Sequence, residues 1–490
     1  MNNFEKTLNQ VIDDNNISTS WSKNVIDQSL SLKNRFNQNR KDLKNEHFVT
    51  IDGEDAKDFD DAVYCEKSKS TFKLKVAIAD VSELIAENSY LDKEALNRGT
   101  SIYFPSKVIP MFPEKISNDL CSLKPNEARN VLVCEMIFDL KGEMLSYVFF
   151  EGVIESKKRM TYNEVEKILL EEHNFQDENI FNSLNSLRSL VKKLLAKRSK
   201  RNALEIENVE PVLKFNQDGD FEKIYEPKRF FSHKMIEESM IAANICASQY
   251  VEKYYGFSIY RVHENPEHLK LESLKNFFSL KGFSSKKFHD PLELITSLIG
   301  HSRNSELKKV MQVLILQSMK RAEYSTKKIG HFGLQLESYS HFTSPIRRYP
   351  DLILHRMIKK ILRGNIFDIN QEELESDLND LSSLERKAES ASRQFIQQLV
   401  CYQLREFIGD DFDTHVAGIA DFGLFCEIEN FYISGLIHVS DLKKDRYIFD
   451  KQANLLKGKR TGRTFRIGQK IRVKLVNVFP EERKIVLIPQ

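Results

Sequence analysis

Residues 47–81 read HFVTIDGEDAKDFDDAVYCEKSKSTFKLKVAIADV, and this stretch places a carboxylate-rich loop between two strand-like segments. The segment before the loop, HFVTI, is apolar, and FKLKVAIADV after it alternates Leu74, Val76 and Ile78, which predicts a strand. A strand edge followed by a tight loop can bring several carboxylates to one point. The acidic residues of this loop are Asp52, Glu54, Asp55, Asp58, Asp60 and Asp61.

Carboxylates gathered in this way repel one another and raise each other's pKa values unless a cation lies between them. Sites made only of carboxylate oxygens favour magnesium or manganese over zinc. A solvated acidic turn or a calcium loop is the simpler alternative. The calcium-loop spacing is not met, because a frame that starts at Asp52 puts Glu54 third and Ala56 fifth. We therefore expect a Mg²⁺ site, with Mn²⁺ as a possible substitute.

Composition narrows the class of protein without identifying a partner. The chain has 490 residues, 41% of them apolar, and its 73 basic and 71 acidic residues leave a formal charge of +2. Any nucleic-acid surface must then come from local segregation of charge. Six widely spaced cysteines, no signal-peptide pattern at the start and no apolar run of about 18 residues predict a cytoplasmic protein that does not enter a membrane.

The periodicity divides the chain into three parts. Residues 1–46 predict a helical lead-in segment, and residues 47–405 predict an α+β domain with a mixed sheet surrounded by helices. One of its helices is expected to begin with Ser232 as N-cap and to end at Gly256. Residues 406–490 return to a period of two, with five short strands that predict a small all-β barrel of OB type.

A second motif, HFTSPIRRYPDLILHR at residues 341–356, suggests an anion site. Thr343 or Ser344 can cap a helix that has Pro345 at its first position, which would put Arg347 and Arg348 in the opening turn. Backbone N–H groups there bind anions. The alternative is a surface helix in which Arg347 pairs with Asp351, but basic residues at a helix N-terminus oppose the helix dipole, so a bound phosphate explains them better.

The C-terminal barrel offers aromatic side chains that could stack on bases. Phe422, Phe425 and His438 could share an outward face, although core packing is the simpler explanation for any one of them. Basic residues surround them in the sequence: Lys443, Lys444, Lys457, Lys459, Arg460, Arg463 and Arg466. Together, an acidic metal site, an arginine clamp and a strand-binding barrel predict a protein that handles phosphodiesters.

These motifs resemble the ribonuclease R and ribonuclease II family, whose catalytic RNB domain is followed by a barrel of the S1 type. The resemblance covers the chain from about residue 10 to its end, and the matching segments occur in the family's order. They are TIDGEDAKDFDDAV, VAIADVSELI, LDKEALNRGTSIYFPSKVIPMFPEKISNDLCSLKPNE, IEESMIAANICA and HFGLQLESYSHFTSPIRRYPDLILHR.

The resemblance implies processive hydrolysis of single-stranded RNA from its 3′ end, with release of nucleoside 5′-monophosphates. It implies two Mg²⁺ ions, with Asp52 and Asp61 as direct ligands, Asp60 on the second ion and Asp58 acting through water. Asp58, Asp60 and Arg347 would be the catalytic residues, with Arg347 holding the scissile phosphate. We expect a monomer, and no activity on DNA.

The same resemblance assigns the contacts with RNA. Tyr103 matches the aromatic residue that stacks on the terminal base, and Arg348 flanks the phosphate clamp. Glu237 matches an acidic residue near the RNA terminus, although a salt bridge on the helix surface explains it equally well. The barrel contributes Phe422, Phe425, His438 and Arg483.

Three features depart from the family pattern. The 46 residues before the catalytic motif leave no room for the two N-terminal cold-shock domains, so the sequence is either a natural short form or a truncated one. A lysine-rich tail is missing after residue 490, which puts activity on structured RNA in doubt. Ile206 stands where some relatives place a second aromatic residue.

Two other functions fit parts of the sequence. One is an RNA-binding protein or RNA chaperone of the same fold whose catalytic centre is weak. It would not need all four aspartates and the arginine. The other is endonucleolytic or DNA-directed cleavage.

Overall fold

The structure is a computed structural model that describes residues 3–171, 175–206, 212–215, 221–279, 282–284, 288, 290–303, 305, 307–366, 368–442, 445–450 and 455–490. Within these ranges the α-helices are α1 (Asn3–Asp14), α2 (Lys23–Ser31), α3 (Val81–Leu84), α4 (Tyr90–Arg98), α5 (Tyr162–Leu170), α6 (Glu178–Lys200), α7 (Phe231–Tyr255), α8 (His268–Ser279), α9 (Pro291–Ser302), α10 (Lys308–Ser318), α11 (Tyr349–Leu362) and α12 (Gln371–Leu404).

The strands of the same ranges fall into two groups. Those before the barrel are β1 (Lys41–Asp42), β2 (Val49–Asp52), β3 (Asp61–Lys67), β4 (Thr71–Ala79), β5 (Ile102–Phe104), β6 (Lys107–Ile109), β7 (Ala128–Asp139), β8 (Met144–Glu155), β9 (Lys158–Thr161), β10 (Val212–Phe215), β11 (Phe221–Tyr225), β12 (Tyr260–Val262) and β13 (Glu323–Ser325). Those of the C-terminal region are β14 (Asp411–Ala420), β15 (Gly423–Ile428), β16 (Ile433–His438), β17 (Tyr447–Asp450), β18 (Leu455–Gly458), β19 (Thr464–Arg466), β20 (Lys470–Phe479) and β21 (Lys484–Pro489).

A seven-stranded mixed sheet forms the centre of the first domain, in the order β1-β8-β7-β4-β3-β2-β9. The outermost pairs, β1 with β8 and β2 with β9, are parallel, and the inner pairs are antiparallel. Strand β4 is buried from Leu74 to Ala79 without a break, because α6 and α7 both pack against it. The prediction of a mixed sheet surrounded by helices is confirmed.

Helix α7 ends at Gly256 as predicted, where φ is +78°, a conformation that glycine adopts without the steric cost of a Cβ. The predicted N-cap at Ser232 is wrong, because the N-cap is Phe230 and the helix begins at Phe231. Ser232 is instead buried inside the first turn. Its hydroxyl donates a 2.7 Å hydrogen bond to the Tyr162 carbonyl, and its N–H donates to the Glu166 carboxylate.

The C-terminal region forms a closed five-stranded barrel in the order β14-β15-β16-β21-β20, with β14 paired to β20, which confirms the predicted OB-type barrel. Helix α12 leads from the first domain into this barrel. A single buried cluster joins the barrel to α12, α1 and the β5–β6 hairpin, through residues such as Val11, Phe104, Phe395 and Leu487. The hairpin that carries Tyr103 therefore shares a core with the barrel.

All six cysteines are buried and free, as expected of reduced thiols. In the described part of the chain, no helix combines the length and the apolar composition needed to cross a membrane.

Candidate active site

The acidic loop connects two neighbouring strands of the central sheet. Asp52 is the last residue of β2 and Asp61 is the first residue of β3, with Asp58 and Asp60 between them. Ser122 holds the second half of the loop, because its hydroxyl donates to the Lys57 carbonyl at 2.7 Å and accepts from the Phe59 N–H at 3.1 Å. The antiparallel pairing of β2 and β3 thus turns a sequence cluster into a cluster in space.

Burial and mutual repulsion disfavour the charged forms of these carboxyl groups. Burial raises the pKa of Asp61 to about 8, and the Asp52 charge adds to the effect. Burial and the Asp58 charge raise the pKa of Asp52 to about 6. Burial also raises the pKa of Asp60 well above its ordinary value. The ionised forms of these carboxyl groups are therefore disfavoured unless a cation lies close to them.

Asp60 connects the loop to the arginine motif. Its Oδ1 accepts a 2.9 Å hydrogen bond from the Ile346 N–H, and its Oδ2 lies 3.3 Å from Arg347 Nε. The Arg347 side chain keeps 43% of its surface exposed. The structure thus brings together two segments that lie nearly 300 residues apart in the sequence.

The predicted helix start at Pro345 is wrong. Helix α11 begins at Tyr349, and Arg347 and Arg348 lie in a tight turn before it. The backbone N–H groups of both arginines donate to the Ser344 carbonyl. The backbone there pairs with another segment, since the Ser101 N–H donates to the Arg347 carbonyl at 3.0 Å. That tertiary pairing outweighs the local capping preference of Ser344.

The two arginines of the motif have different surroundings. Arg348 donates to both carboxylate oxygens of Asp351, at 2.9 Å from Nε and 2.7 Å from Nη2, and Asp351 is fully buried. The ion pair to Asp351 is thus made by Arg348 and not by Arg347. Arg347 is the arginine that faces the carboxylates, and contact of Arg348 with RNA stays a prediction.

Tyr103 lies at the same site, on the β5–β6 hairpin. Its hydroxyl donates a 2.7 Å hydrogen bond to Asp58 Oδ2, while 39% of its surface stays exposed. Ser392 of α12 donates to the Tyr103 carbonyl at 2.9 Å, and the neighbouring Phe104 packs against Phe395. An exposed aromatic ring is therefore held firmly beside the acidic loop.

Glu237 and Ile206 show surroundings that the sequence left open. Glu237 accepts from Arg198 Nη1 at 2.7 Å and also pairs with Arg229, so the salt-bridge explanation is present in the structure. Its contact with RNA stays a prediction. Ile206 is partly buried and packs against the cluster formed by α8, α9 and α10.

On the barrel, Phe425 and His438 lie on the outer face, because each alternates along its strand with buried residues. Phe422 is 45% exposed, and its ring lies 5.9 Å from that of Phe425, edge to face. Arg483 Nη1 contacts Asp14 Oδ2 at 3.4 Å, which draws this side chain towards α1. Of the basic residues expected around the aromatics, Lys443 and Lys444 lie outside the described residues.

Sequence reasoning missed two residues of the site at the edge strand β9: Arg159 lies within this strand, and Tyr162 follows it. The parallel register of β2 and β9 pairs Asp52 with Thr161, and this register places Arg159 and Tyr162 beside the loop. Burial and the charges of Asp61 and Asp52 raise the pKa of Tyr162. A register between strands about 100 residues apart leaves no local signal in the sequence.

Sequence reasoning also missed a second group of carboxylates, which lies outside the acidic loop. Among the described residues, Asp80, Glu83 and Glu151 have carboxylate oxygens that all lie within 4.8 Å of one another. Arg40 Nη2 lies 2.6, 3.0 and 2.9 Å from the three carboxylates, and Lys359 Nζ lies 2.9 Å from Asp80 and 2.6 Å from Glu83. Protein cations already neutralise this group, so we interpret it as a structural ion-pair network.

Comparison with known proteins places both regions in described families. Residues 40–364 match the RNB domain, and residues 405–488 match the S1 RNA binding domain. Ribonuclease R of Escherichia coli (strain K12) is 39% identical over 488 residues, which cover 95% of this chain and 60% of that protein. The chain thus spans about 60% of the length of curated relatives such as this one.

Solved structures give the same result for the fold. The structure of Mycoplasma genitalium RNase R in complex with ribose methylated single-stranded RNA superposes with a TM-score of 0.93 at 29% identity, covering all of this chain and 78% of that one. Yeast Ssd1, described as a pseudonuclease, superposes with a TM-score of 0.73 at 18% identity, over 92% of this chain and 58% of that one. The second likeness concerns the fold alone.

Proposed function

This chain belongs to the RNB-domain family that includes ribonuclease R, and we propose that it hydrolyses single-stranded RNA from the 3′ end, processively, to nucleoside 5′-monophosphates. One observation carries the proposal. The four aspartates, Arg347 and Tyr103 come from three separate segments and meet at one place. Each provides a different requirement of the reaction: a site for cations, a clamp for phosphate and a platform for a base.

The carboxylates fit a divalent cation. The donor set consists of oxygen atoms only, and Asp52 Oδ2 is buried without a hydrogen-bond partner among the described residues. Burial raises the pKa values of Asp52 and Asp61, and a nearby cation would favour their ionised forms. Mg²⁺ held by Asp52, Asp58, Asp60 and Asp61 would supply a Lewis acid for the scissile phosphate and an activated water.

The protein's own groups orient the substrate. The Arg347 guanidinium, half-exposed and ion-paired with Asp60, can donate to a phosphate oxygen and stabilise charge that develops in the transition state. The Tyr103 ring can stack on the terminal base, and its hydroxyl bond to Asp58 fixes the distance between that base and the acidic loop. This distance would determine which phosphodiester bond is cut.

The barrel would hold the RNA strand on its way to the site. Its outward aromatics Phe422, Phe425 and His438 can stack on successive bases, which does not depend on sequence. Glu237 and Arg483 remain proposed RNA contacts, although each already forms an ion pair within the protein. Arg348 is the weakest proposed RNA contact, because its guanidinium is paired with the buried Asp351, which favours a structural role. We further propose that the chain acts as a monomer in the cytoplasm.

A second candidate function is RNA binding without turnover. The likeness to the pseudonuclease fold of Ssd1 shows that this fold occurs without catalysis. The retention of all four aspartates and of Arg347, arranged around one loop, favours the nuclease, since a pure binding protein does not need them.

The test uses single-stranded RNA labelled at either end. With Mg²⁺, a processive enzyme of this kind releases the 3′ label at once as mononucleotide, and it converts 5′-labelled RNA from full length to a short end product without accumulating intermediates. Chelation or Asp60→Asn should abolish both. Asp55→Asn is a matched control, because Asp55 is an exposed carboxylate of the same loop and should leave activity unchanged. Tight RNA binding without turnover in several divalent metals would instead support the binding protein, and cleavage of circular RNA or DNA would show a different nuclease.

A further inference from the structure

The first half of the acidic loop, residues 53–56, is held differently from the second half. Residues 53–55 are exposed, and within the loop the Ala56 N–H donates to the Gly53 carbonyl at 3.3 Å. Arg159 Nη2 donates to the Gly53 carbonyl and to the Glu54 carbonyl, both at 2.6 Å. In the described part of the chain, no other side chain donates to the backbone of this half.

The position of Arg159 follows from the sheet. Strand β9 lies parallel to β2, with Arg159 beside Thr50, so the side chain starts next to the strand that ends at Asp52. Strand alternation puts Arg159 on the face opposite Lys158 and the buried Met160. The guanidinium also lies over the Phe59 ring, 5.8 Å from its centroid, so that one side chain contacts both halves of the loop.

These contacts restrain the loop at a place where solvent would otherwise compete. Hydrogen bonds from a charged donor are stronger than those between neutral groups. These bonds hold residues 53 and 54 against the strand that ends at Asp52, next to the first carboxylate of the loop.

We propose that Arg159 is a positioning residue, which holds residues 52–58 in the conformation that binds the divalent cation. The inference rests on the proposed function for the identity of the metal site. Arg159 acts through the backbone carbonyls of residues 53 and 54, so it need not touch RNA. Its loss should therefore weaken metal binding rather than RNA binding.

The test measures Mn²⁺ binding by electron paramagnetic resonance with the full chain and without RNA. Loss of a group that orients metal ligands typically costs about 10-fold to 100-fold in metal affinity, so Arg159→Met should weaken Mn²⁺ binding by about 10-fold or more. Arg159→Lys keeps the charge but loses the planar fork, and we expect a smaller loss. Lys158→Met is the matched control, because it removes a cation from the same strand on the other face, and it should leave Mn²⁺ affinity unchanged.

A companion measurement separates positioning from a general structural role. The Mg²⁺ concentration for half-maximal RNA hydrolysis should rise in Arg159→Met, while RNA affinity in chelator stays at the wild-type value. Wild-type Mn²⁺ affinity in Arg159→Met, an equal loss in Lys158→Met, or a lower kcat with unchanged Mg²⁺ dependence would each overturn the inference. If Arg159→Met does not fold, Arg159→Lys takes its place: weaker Mn²⁺ binding supports the inference, and wild-type Mn²⁺ binding overturns it. A wild-type chain that binds Mn²⁺ but does not hydrolyse RNA would refute the proposed function and leave this inference testable.

Discussion

Replacement of Arg348 by methionine tests whether this arginine belongs to the protein core or to an RNA contact. Sequence patterns group Arg348 with Arg347 as an RNA contact, whereas the structure buries its head group against Asp351. In Arg348→Met, Asp351 would keep the 2.8 Å hydrogen bond from the Ser344 N–H and lose both bonds from the guanidinium. A fully buried carboxylate would then lack a counter-charge.

The expected loss follows from the burial of this pair. Breaking a buried ion pair by removing one partner costs about 3–5 kcal/mol, because the remaining charge stays desolvated. The double variant Arg348→Met/Asp351→Asn removes that charge, and the amide oxygen of the substituted side chain can still accept from the Ser344 N–H. We therefore expect the double variant to recover more than half of the stability lost in the single variant.

The assay is urea unfolding of the chelated protein, combined with RNA affinity at several salt concentrations. If Arg348 is structural, Arg348→Met lowers the unfolding free energy, and the folded fraction shows an unchanged dependence of RNA affinity on salt. Arg347→Met should do the opposite, since loss of a phosphate contact lowers the slope of log affinity against log salt by about one unit. A loss of stability below about 1 kcal/mol together with a lower salt slope in Arg348→Met would refute the reasoning.

Three further predictions concern the site and the barrel. The pKa values of Asp52 and Asp61, about 6 and about 8, are raised above the ordinary 3.8, so between these values the folded state binds protons that the unfolded state releases. Melting temperatures of the chelated protein should therefore fall as pH rises from about 4 to about 8, less steeply in Asp61→Asn, and saturating Mg²⁺ should remove the fall. Tyr103→Ala should cost about 1–3 kcal/mol of RNA binding, measured by fluorescence anisotropy. Tyr103→Phe keeps the stacking ring and loses only the hydrogen bond to Asp58, so it should change the length of the final product more than the RNA affinity. Phe422→Ala should weaken the binding of long single-stranded RNA in the same assay and leave the hydrolysis rate of very short RNA unchanged, because the ring is exposed on the barrel and the acidic loop belongs to the first domain.

Local patterns were sufficient where local forces decide the structure. The alternation around Val76 predicts β4, and the glycine at 256 predicts the end of α7, because strand period and left-handed backbone are properties of short segments. The arginine motif shows the limit. Ser344 and Pro345 favour a helix start by local rules, but the backbone pairs with residues 99–101 instead, and no local pattern encodes that pairing. The role of Arg159 could not be predicted for the same reason, since the carbonyls of Gly53 and Glu54 that it contacts are about 100 residues away in the sequence.

The two acidic groups of the chain show why composition alone does not identify a metal site. Asp80, Glu83 and Glu151 meet Arg40, Lys359 and Arg363 at distances of 2.6–3.0 Å, so three carboxylates face three cations. The four aspartates of the loop face two arginines, Arg347 at 3.3 Å and Arg159, whose hydrogen bonds go to backbone carbonyls. Burial and the neighbouring charges raise the pKa values of Asp52, Asp60 and Asp61, which favours protonation, and a divalent cation would displace those protons. We therefore assign catalysis to the four aspartates of the loop, which have fewer cations around them than Asp80, Glu83 and Glu151. This holds even though the carboxylate oxygens of the loop are less tightly grouped than those of the other three residues.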